Sequence, residues 1–354
     1  MKPRDRVLTA LACNAPDRVP VDYEANPGID GRLKAHFHLA ADDDEGLLQA
    51  LGVDFRHVGG TYRGPKLYDD IPERGVVVDN FGIHTRWIEH ETGGYWDYCD
   101  FPLKDADVET VANWRLPDPD LYDFSDVPAQ CERYRDYAVC LLCYGDLING
   151  NGMLRTMEQT LVDLITDDPA GLLLTDRRFT FQLEIARRTF EASKGAIDIL
   201  WLGEDLGVQD RPMISMKLFR KHFRPRYQKF VDLAKSFDAR VIMHSCGSSS
   251  WAYEDFIEMG IDAVNTLQPE AKDMSPAYLK KTFGGRLAFH GCISTAGPVA
   301  FGTPADVVRS CRETLDIMMP GGGYCFAPTH ALQDNSPTEN VVAMYDTARE
   351  YGVY

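Results

Sequence analysis

The chain contains no apolar run approaching the roughly 20 residues needed to cross a bilayer. Its opening stretch, MKPRDRVLTALACNAPDRVP, is charged throughout, where a secretory leader needs an apolar centre. The expectation is a cytoplasmic protein with no membrane partner. Basic residues are also scarce: 37 Lys and Arg stand against 54 Asp and Glu, a net charge of −17. Such an excess repels phosphate backbones and anionic lipid surfaces, so nucleic acid is not an expected partner. Cysteine is sparse and odd in number, nine in 354 residues. That is no disulfide framework, and in a reducing compartment the thiols are free or ligate metal. A glycine-rich dinucleotide loop is missing too, because the GGGY stretch at 321–324 precedes a strand instead of following one. No repeat or low-complexity tract is present.

What the chain does have is hydrophobic content of 44%, enough to bury a large core, and a regular alternation. From about residue 196 an apolar run is followed by a helical pattern five times over: AIDILWLG, RVIMHSCG, DAVNTLQ, RLAFHGCI and GYCFAP each precede one. Such units imply parallel strands with helical crossovers. Thr303, Pro304 and Asp306 mark one helix start, and Ser336, Pro337 and Glu339 mark the last. Upstream, VPVDYEA near 20, DFRHV near 55 and YAVCLLCYG near 140 supply three more strands, eight in all. Eight alternating units without a phosphate loop predict an α/β fold, a closed (β/α)8 TIM barrel, as a single domain over 1–354. Between the second and third strands, GVVVDNFGIHTRWIEHETGGYWDYCDFPL is rich in β-branched and aromatic residues and contains a Gly-Gly pair. It predicts an antiparallel hairpin at the barrel mouth, within an insertion at about 60–135.

Two of the strand ends are written alike. VIMHSCG at 241–247 and LAFHGCI at 287–293 each close an apolar run with His, a small residue and Cys. Residues two apart on a strand face one side, so His244 with Cys246 and His290 with Cys292 can each aim at one point. Both pairs fall at strand C-termini, where barrel enzymes assemble their sites. The eighth strand, in GGGYCFAPTH, adds Cys325 in its middle and His330 just past its end. Imidazole and thiolate together select zinc, and three protein ligands with an open position make a catalytic site. Cys140 and Cys143 form a CxxC, but three apart on a strand they face opposite sides, which speaks against a redox or zinc role.

At these motifs the sequence resembles the uroporphyrinogen decarboxylase superfamily. The resemblance is carried by HSCG, IDAVNTLQPEA, RLAFHGCIS followed by FGTPADV, and PGGGYCFAPTHALQDNSPTENVVAMYDTAREYG. It implies a (β/α)8 barrel and one of two chemistries: metal-free decarboxylation of a tetrapyrrole, or zinc-dependent exchange of a methyl group between a small molecule and a corrinoid. Decarboxylases of the family have arginines near the N-terminus for the porphyrinogen carboxylates, but the matching segment here, VPVDYEANPGIDGRL, offers Asp22 and Glu24. The methyltransferases have a His-x-Cys pair after the fifth strand, matched by His244 and Cys246. Their third ligand, a Cys near the end of the eighth strand, is replaced here by His330. The resemblance thus implies a metal set of His244, Cys246 and His330, with His290 a pocket residue and Cys292 accessory.

Acidic residues Glu204 and Asp205 close the fourth strand and are candidates, with His290, for the catalytic groups, one acid donating a proton to a leaving oxygen or completing the zinc shell. Gln209, Gln268, Asn265 and Gln333 are candidates for polar contacts with cofactor or substrate. The sequence reads as a zinc methyltransferase of the O-demethylase type, with a corrinoid, cobalamin or a corrinoid protein, as partner and a small methylated molecule as substrate. Tetrapyrrole decarboxylation and a non-catalytic tetrapyrrole- or partner-binding barrel are the alternatives.

Overall fold

The computed structural model describes residues 1–90, 93–142 and 145–354. Twelve strands follow in chain order: β1 (Phe55–His57), β2 (Thr61–Tyr62), β3 (Val76–Val78), β4 (His84–His90), β5 (Gly93–Tyr98) and β6 (Tyr122–Asp123), then β7 (Ala138–Leu142), β8 (Ile199–Gly203), β9 (Arg240–Ser245), β10 (Ala263–Thr266), β11 (Ala288–Ile293) and β12 (Tyr324–Pro328). One parallel sheet takes the order β1-β7-β8-β9-β10-β11-β12, with helices between successive strands. Its strands are apolar on both faces; every residue of β8, β10, β11 and β12 is buried. That is the pattern of strands covered by helices outside and packed side chains inside.

The sheet closes through the first predicted strand. Phe326 N–H donates to Pro20 O at 2.8 Å, Asp22 N–H to Phe326 O at 3.0 Å, and Asp54 N–H to Val21 O at 2.8 Å, so the extended segment around Val21 lies between β12 and β1. Pro20 lacks an N–H, which interrupts the ladder. The neighbouring Val21 N–H is taken by the Asp54 side chain at 2.8 Å instead. Asp54, fully buried, also accepts from Arg6 at 2.6 Å and Arg18 at 2.9 Å, fastening the first helix, Pro3–Leu11, to the foot of the barrel.

The expected hairpin is β4–β5, antiparallel with Trp87 opposite Trp96, and β3 extends it to three strands. Gly93 and Gly94 open β5; the turn residues 91 and 92 lie outside the described residues, as does Cys143 of the CxxC. The stretch 119–123 contributes a 3-10 turn and β6, which pairs with β2. One helix start differs from the sequence reading. Thr303 and Asp306 form a reciprocal capping box, but the last helix is Thr338–Tyr351 with Pro337 at its N-cap and no capping side chain. The Ser336 hydroxyl is buried without a partner.

A candidate metal centre at the barrel mouth

The C-terminal ends of the parallel strands surround a cavity of about 610 Å³, a size suited to a small molecule. Its floor is a ring stack on the barrel axis: the His290 ring meets Trp201 edge-on at 4.8 Å and Phe55 at 5.5 Å between centroids. Tyr98, from the end of the hairpin, lines the cavity as well, so the inserted sheet contributes to its wall.

His244 stands on β9 and Cys246 immediately follows it. Ser245 between them is buried on the opposite side, and Cys246 Sγ lies 3.6 Å from His244 Nε2. The loop turns at once after Cys246 because Gly247 has φ +69°, and a Cβ there would sit 2.4 Å from the Gly207 carbonyl oxygen. His330 follows β12, and its ring centroid is 6.1 Å from that of His244. One ligand atom from each of His244, Cys246 and His330 lies within 4.8 Å of the others. Among the described residues this is the one His, Cys and carboxylate group so arranged.

The second motif behaves differently. His290 points into the cavity, but Gly291 has φ +126° and Cys292 φ +69°, so β11 is kinked between them and the alternation expected of a flat strand fails. Cys292 is buried off the cavity, and burial raises its thiol. Cys325 is likewise core, its thiol raised by burial. Of the possible ligands read from the sequence, three converge and these two cysteines do not.

Asn265 on β10 connects the two histidines. Its Oδ1 lies 2.7 Å from His244 Nδ1, and its Nδ2 lies 2.8 Å from His290 Nδ1. The direction of the chain is set at its far end, where His290 Nε2 is 3.0 Å from Asp22 Oδ2. An ionised carboxylate only accepts, so His290 Nε2 carries the proton and its Nδ1 accepts from the amide. The amide oxygen then faces His244, whose Nδ1 donates, leaving Nε2 with its lone pair toward Cys246 and His330. This fixes a tautomer suited to a metal ion. Asn265, expected as a cofactor contact, is placed here as the residue that orients the histidines.

Two acids border the cluster in different ways. Asp205 Oδ1 accepts from the Cys246 N–H at 2.8 Å and lies 3.5 Å from His244 Nε2, while Oδ2 accepts from Asn149 at 2.9 Å. Burial opposes its charge, but the His244 ring alongside, the Asn149 amide and the Cys246 N–H hold the carboxyl well below the usual range. Glu204 Oε2 accepts from the Leu147 and Ile148 N–H groups, at 2.6 and 3.0 Å, and from the Tyr227 hydroxyl at 3.0 Å. Those amides begin the helix Ile148–Arg155. Burial and the charge of Asp146 outweigh them and push the Glu204 carboxyl up to about 8. Its Oε1 is buried and has no partner among the described residues, on a side chain that lines the cavity.

Gln209 and Gln268 are not brought to the cavity. Gln209 is exposed, and the Gln268 Oε1 accepts from the Gly247 N–H at 2.7 Å, bracing the loop behind Cys246. Gln333 is bonded to Asn26 on the surface. The cavity residues that the sequence reading did not pick as site residues are chiefly Asp22, Glu24, Asp146, His57 and Trp201. Asp22 and Glu24 alternate along the first strand, a period-two pattern that already aims both at one face; the others follow from no local signal.

Fold and mouth together define a parallel (β/α)8 barrel with a candidate metal centre at the C-terminal end of its strands. Residues 184–351 match the family described as uroporphyrinogen decarboxylase (URO-D). The chain is 24% identical over 142 residues to the methylcobamide:CoM methyltransferase MtbA of Methanosarcina acetivorans, which covers 39% of this chain and 38% of that protein. The alignment thus spans well under half the length of the curated relative. A methyltransferase from Methanosarcina mazei shares the fold over 99% of both chains, with a TM-score of 0.64 and 18% identity. The chain is thus similar to the uroporphyrinogen decarboxylase family over residues 184–351, and the relative and the structure it resembles are methyltransferases.

Proposed function

We propose that this protein transfers a methyl group between a small methylated donor, an ether or similar molecule, and a corrinoid, free or on a partner protein, with zinc held by His244, Cys246 and His330. The observation that carries the reading is the convergence of those three side chains, two of which, His244 and His330, line the cavity. Zinc bonds of about 2.0 Å to nitrogen and 2.3 Å to sulfur, at tetrahedral angles, place the two ligand atoms about 3.5 Å apart. The His244 Nε2 to Cys246 Sγ separation is 3.6 Å. The residues therefore fit the ion, and three protein ligands leave a position open for substrate.

When bound, zinc supplies Lewis acidity toward the donor's heteroatom, stronger with one thiolate ligand than with two. The chain's own residues do the rest. Asp22, through His290 and Asn265, keeps His244 in the tautomer that presents Nε2. Asp205 holds the Cys246 backbone in place. Glu204 remains protonated at neutral pH, with one oxygen fixed by three donors and the other unpartnered, and gives its proton to the oxygen that departs as the methyl group leaves. A methyl acceptor of this kind needs no thiolate on the metal. The likeness to a methylcobamide:CoM methyltransferase supports the corrinoid side of the reading.

The test has two parts. Elemental analysis of protein purified without chelators should find about one zinc per chain, and incubation with cob(I)alamin and a methoxylated donor should form methylcobalamin, followed spectrally. Protein free of zinc, or full of zinc and inert toward a broad panel of methyl donors and both methylated and reduced cobalamin, would sink the proposal.

A further inference from the structure

We infer that the molecule admitted beside His244, Cys246 and His330 is a small cation, an ammonium compound whose methyl-bearing end reaches the cluster. This rests on reading the cavity as the methyl donor's site and adds the donor's charge. Besides the protonated Glu204, five carboxyl groups line the wall, Asp22, Glu24, Asp30, Asp146 and Asp205, and among the described residues no lysine or arginine does. Several of these acids are engaged by neutral groups: Asp22 by His290, Asp30 by the Tyr23 hydroxyl, Asp205 by Asn149 and a backbone N–H. Bonds of that kind hold a carboxylate in place without cancelling its charge. Arg178, buried nearby, offsets Asp146 in part. Glu24 is exposed toward the opening and has no ion-pair partner among the described residues. A divalent ion on one thiolate and two neutral imidazoles would leave a single positive charge, too little to balance the wall.

An acidic lining by itself describes a solvated face. Here a second observation points to a ligand. Glu204 is 1% exposed, lines the cavity, and leaves Oε1 without a partner among the described residues, a buried oxygen that is costly to leave bare. A bound molecule supplies the missing contact. The rings of Tyr23, Tyr98 and Trp201 lie on the same wall, and aromatic faces attract ammonium groups. A carboxylate or sulfonate ligand would meet its own sign of charge along the wall, in a protein whose net charge is −17.

The experiment titrates three probes of similar size into the full, zinc-loaded chain by calorimetry: (2-methoxyethyl)trimethylammonium, its neutral carbon isostere 1-methoxy-3,3-dimethylbutane, and 2-methoxyethanesulfonate. The cation should bind at least about tenfold more tightly than the isostere, about 1.4 kcal/mol, and the sulfonate most weakly. In an E24Q variant, which removes an exposed charge and no internal bond, the cation's advantage should shrink severalfold while the isostere's affinity is unchanged. Equal binding of the isostere or the sulfonate overturns the inference, and so does an E24Q variant that leaves the cation's advantage intact. Binding is read without cobalamin, so the two readings fail separately. Cation preference without methyl transfer removes the demethylation reading and keeps this one; methyl transfer without cation preference does the reverse.

Discussion

His244 and His290 sit on strands separated by one, and a single amide, that of Asn265 on the strand between, bonds both of their Nδ1 atoms, at 2.7 and 2.8 Å. In parallel register His244, Asn265 and His290 lie side by side across β9, β10 and β11. The amide cannot turn over without setting an acceptor against the wrong nitrogen, because Asp22 fixes the protonation of His290. Replacing Asn265 with Leu should therefore weaken zinc binding by about 10- to 100-fold, the usual cost of losing a partner behind a metal-bound imidazole. Competition with a chelator measures it. Asp22→Asn keeps a side chain of the same shape but relaxes the direction of the chain, so the ¹⁵N shifts of the His244 ring should move even though Asp22 does not touch it. Unmoved shifts would mean that the polarity is set elsewhere.

The metal set makes a sharper prediction. Cys246→Ala and His330→Ala should each lower the zinc content of purified protein, and the double variant should hold essentially none. Cys292→Ala, outside the cavity on the kinked end of β11, should retain full zinc. Elemental analysis with a folding check by circular dichroism decides the matter, and a double variant that keeps its zinc would remove the site.

How much of this was legible beforehand depends on how local the signal is. Eight strands and their order could be counted because each is a short apolar run bounded by helix, and the barrel follows from that alternation. His244 and Cys246 could be paired because the spacing of two acts within one strand. His290 and Cys292 have the same spacing, but positive φ at Gly291 and Cys292 breaks the rule, and nothing in the letters HGC announces a kink where HSC has none. His330 was visible just past the end of the eighth strand, but choosing it over Cys325 as the third ligand required the family resemblance. Asn265 was noticed as polar, but its task exists only across three strands in register. Gln209 and Gln268 had no more support than their polarity, and they fell outside the cavity.

The foot of the barrel carries its own test. Asp54 is fully buried against Arg6, itself 7% exposed, and against Arg18 and the Val21 N–H that follows Pro20. Asp54→Ala leaves Arg6 Nη1 and a strand N–H without their buried acceptor while Asp17 still holds the rest of the guanidinium, so a loss of about 1–3 kcal/mol is expected. Denaturant unfolding should show the loss while zinc content per folded chain stays the same, because Asp54 lies at the end of the barrel opposite the cavity mouth.

Acid should destabilise the protein in a definable window. Bonds from Arg187 hold the Glu184 carboxyl down, against the opposing effect of burial, with Arg188 adding to it, at about 2; Arg6 likewise holds Asp17 below the usual range. A carboxyl depressed on folding contributes stability that is fully present above its unfolded value, about 4, and is lost as pH falls through its folded value. Melting temperature should thus fall between about pH 4.5 and 2, and Glu184→Gln should flatten part of that slope, lying below the parent at pH 7 and converging with it near pH 2. An identical acid slope in the variant would show that this cluster is not involved.

The last prediction concerns the proton. Glu204 is held by three donors on Oε2, is pushed up to about 8 by burial and by Asp146, and leaves Oε1 unpartnered on a side chain lining the cavity. A carboxyl in that state has a proton to give at neutral pH. Glu204→Gln keeps the shape and supplies an amide, but cannot give a proton to a departing oxygen. It should keep its zinc, keep most of its donor affinity because the amide can still contact the bound molecule, and lose about 100- to 10,000-fold in the rate of methylcobalamin formation. Removing a proton donor matters least when the leaving oxygen is already a weak base. The loss should therefore shrink across a series of aryl methyl ethers as electron-withdrawing substituents are added. An unchanged rate, or an equal loss across the series, would take Glu204 out of the chemistry and leave Asp205, at 3.5 Å from His244 Nε2, as the acid to examine next.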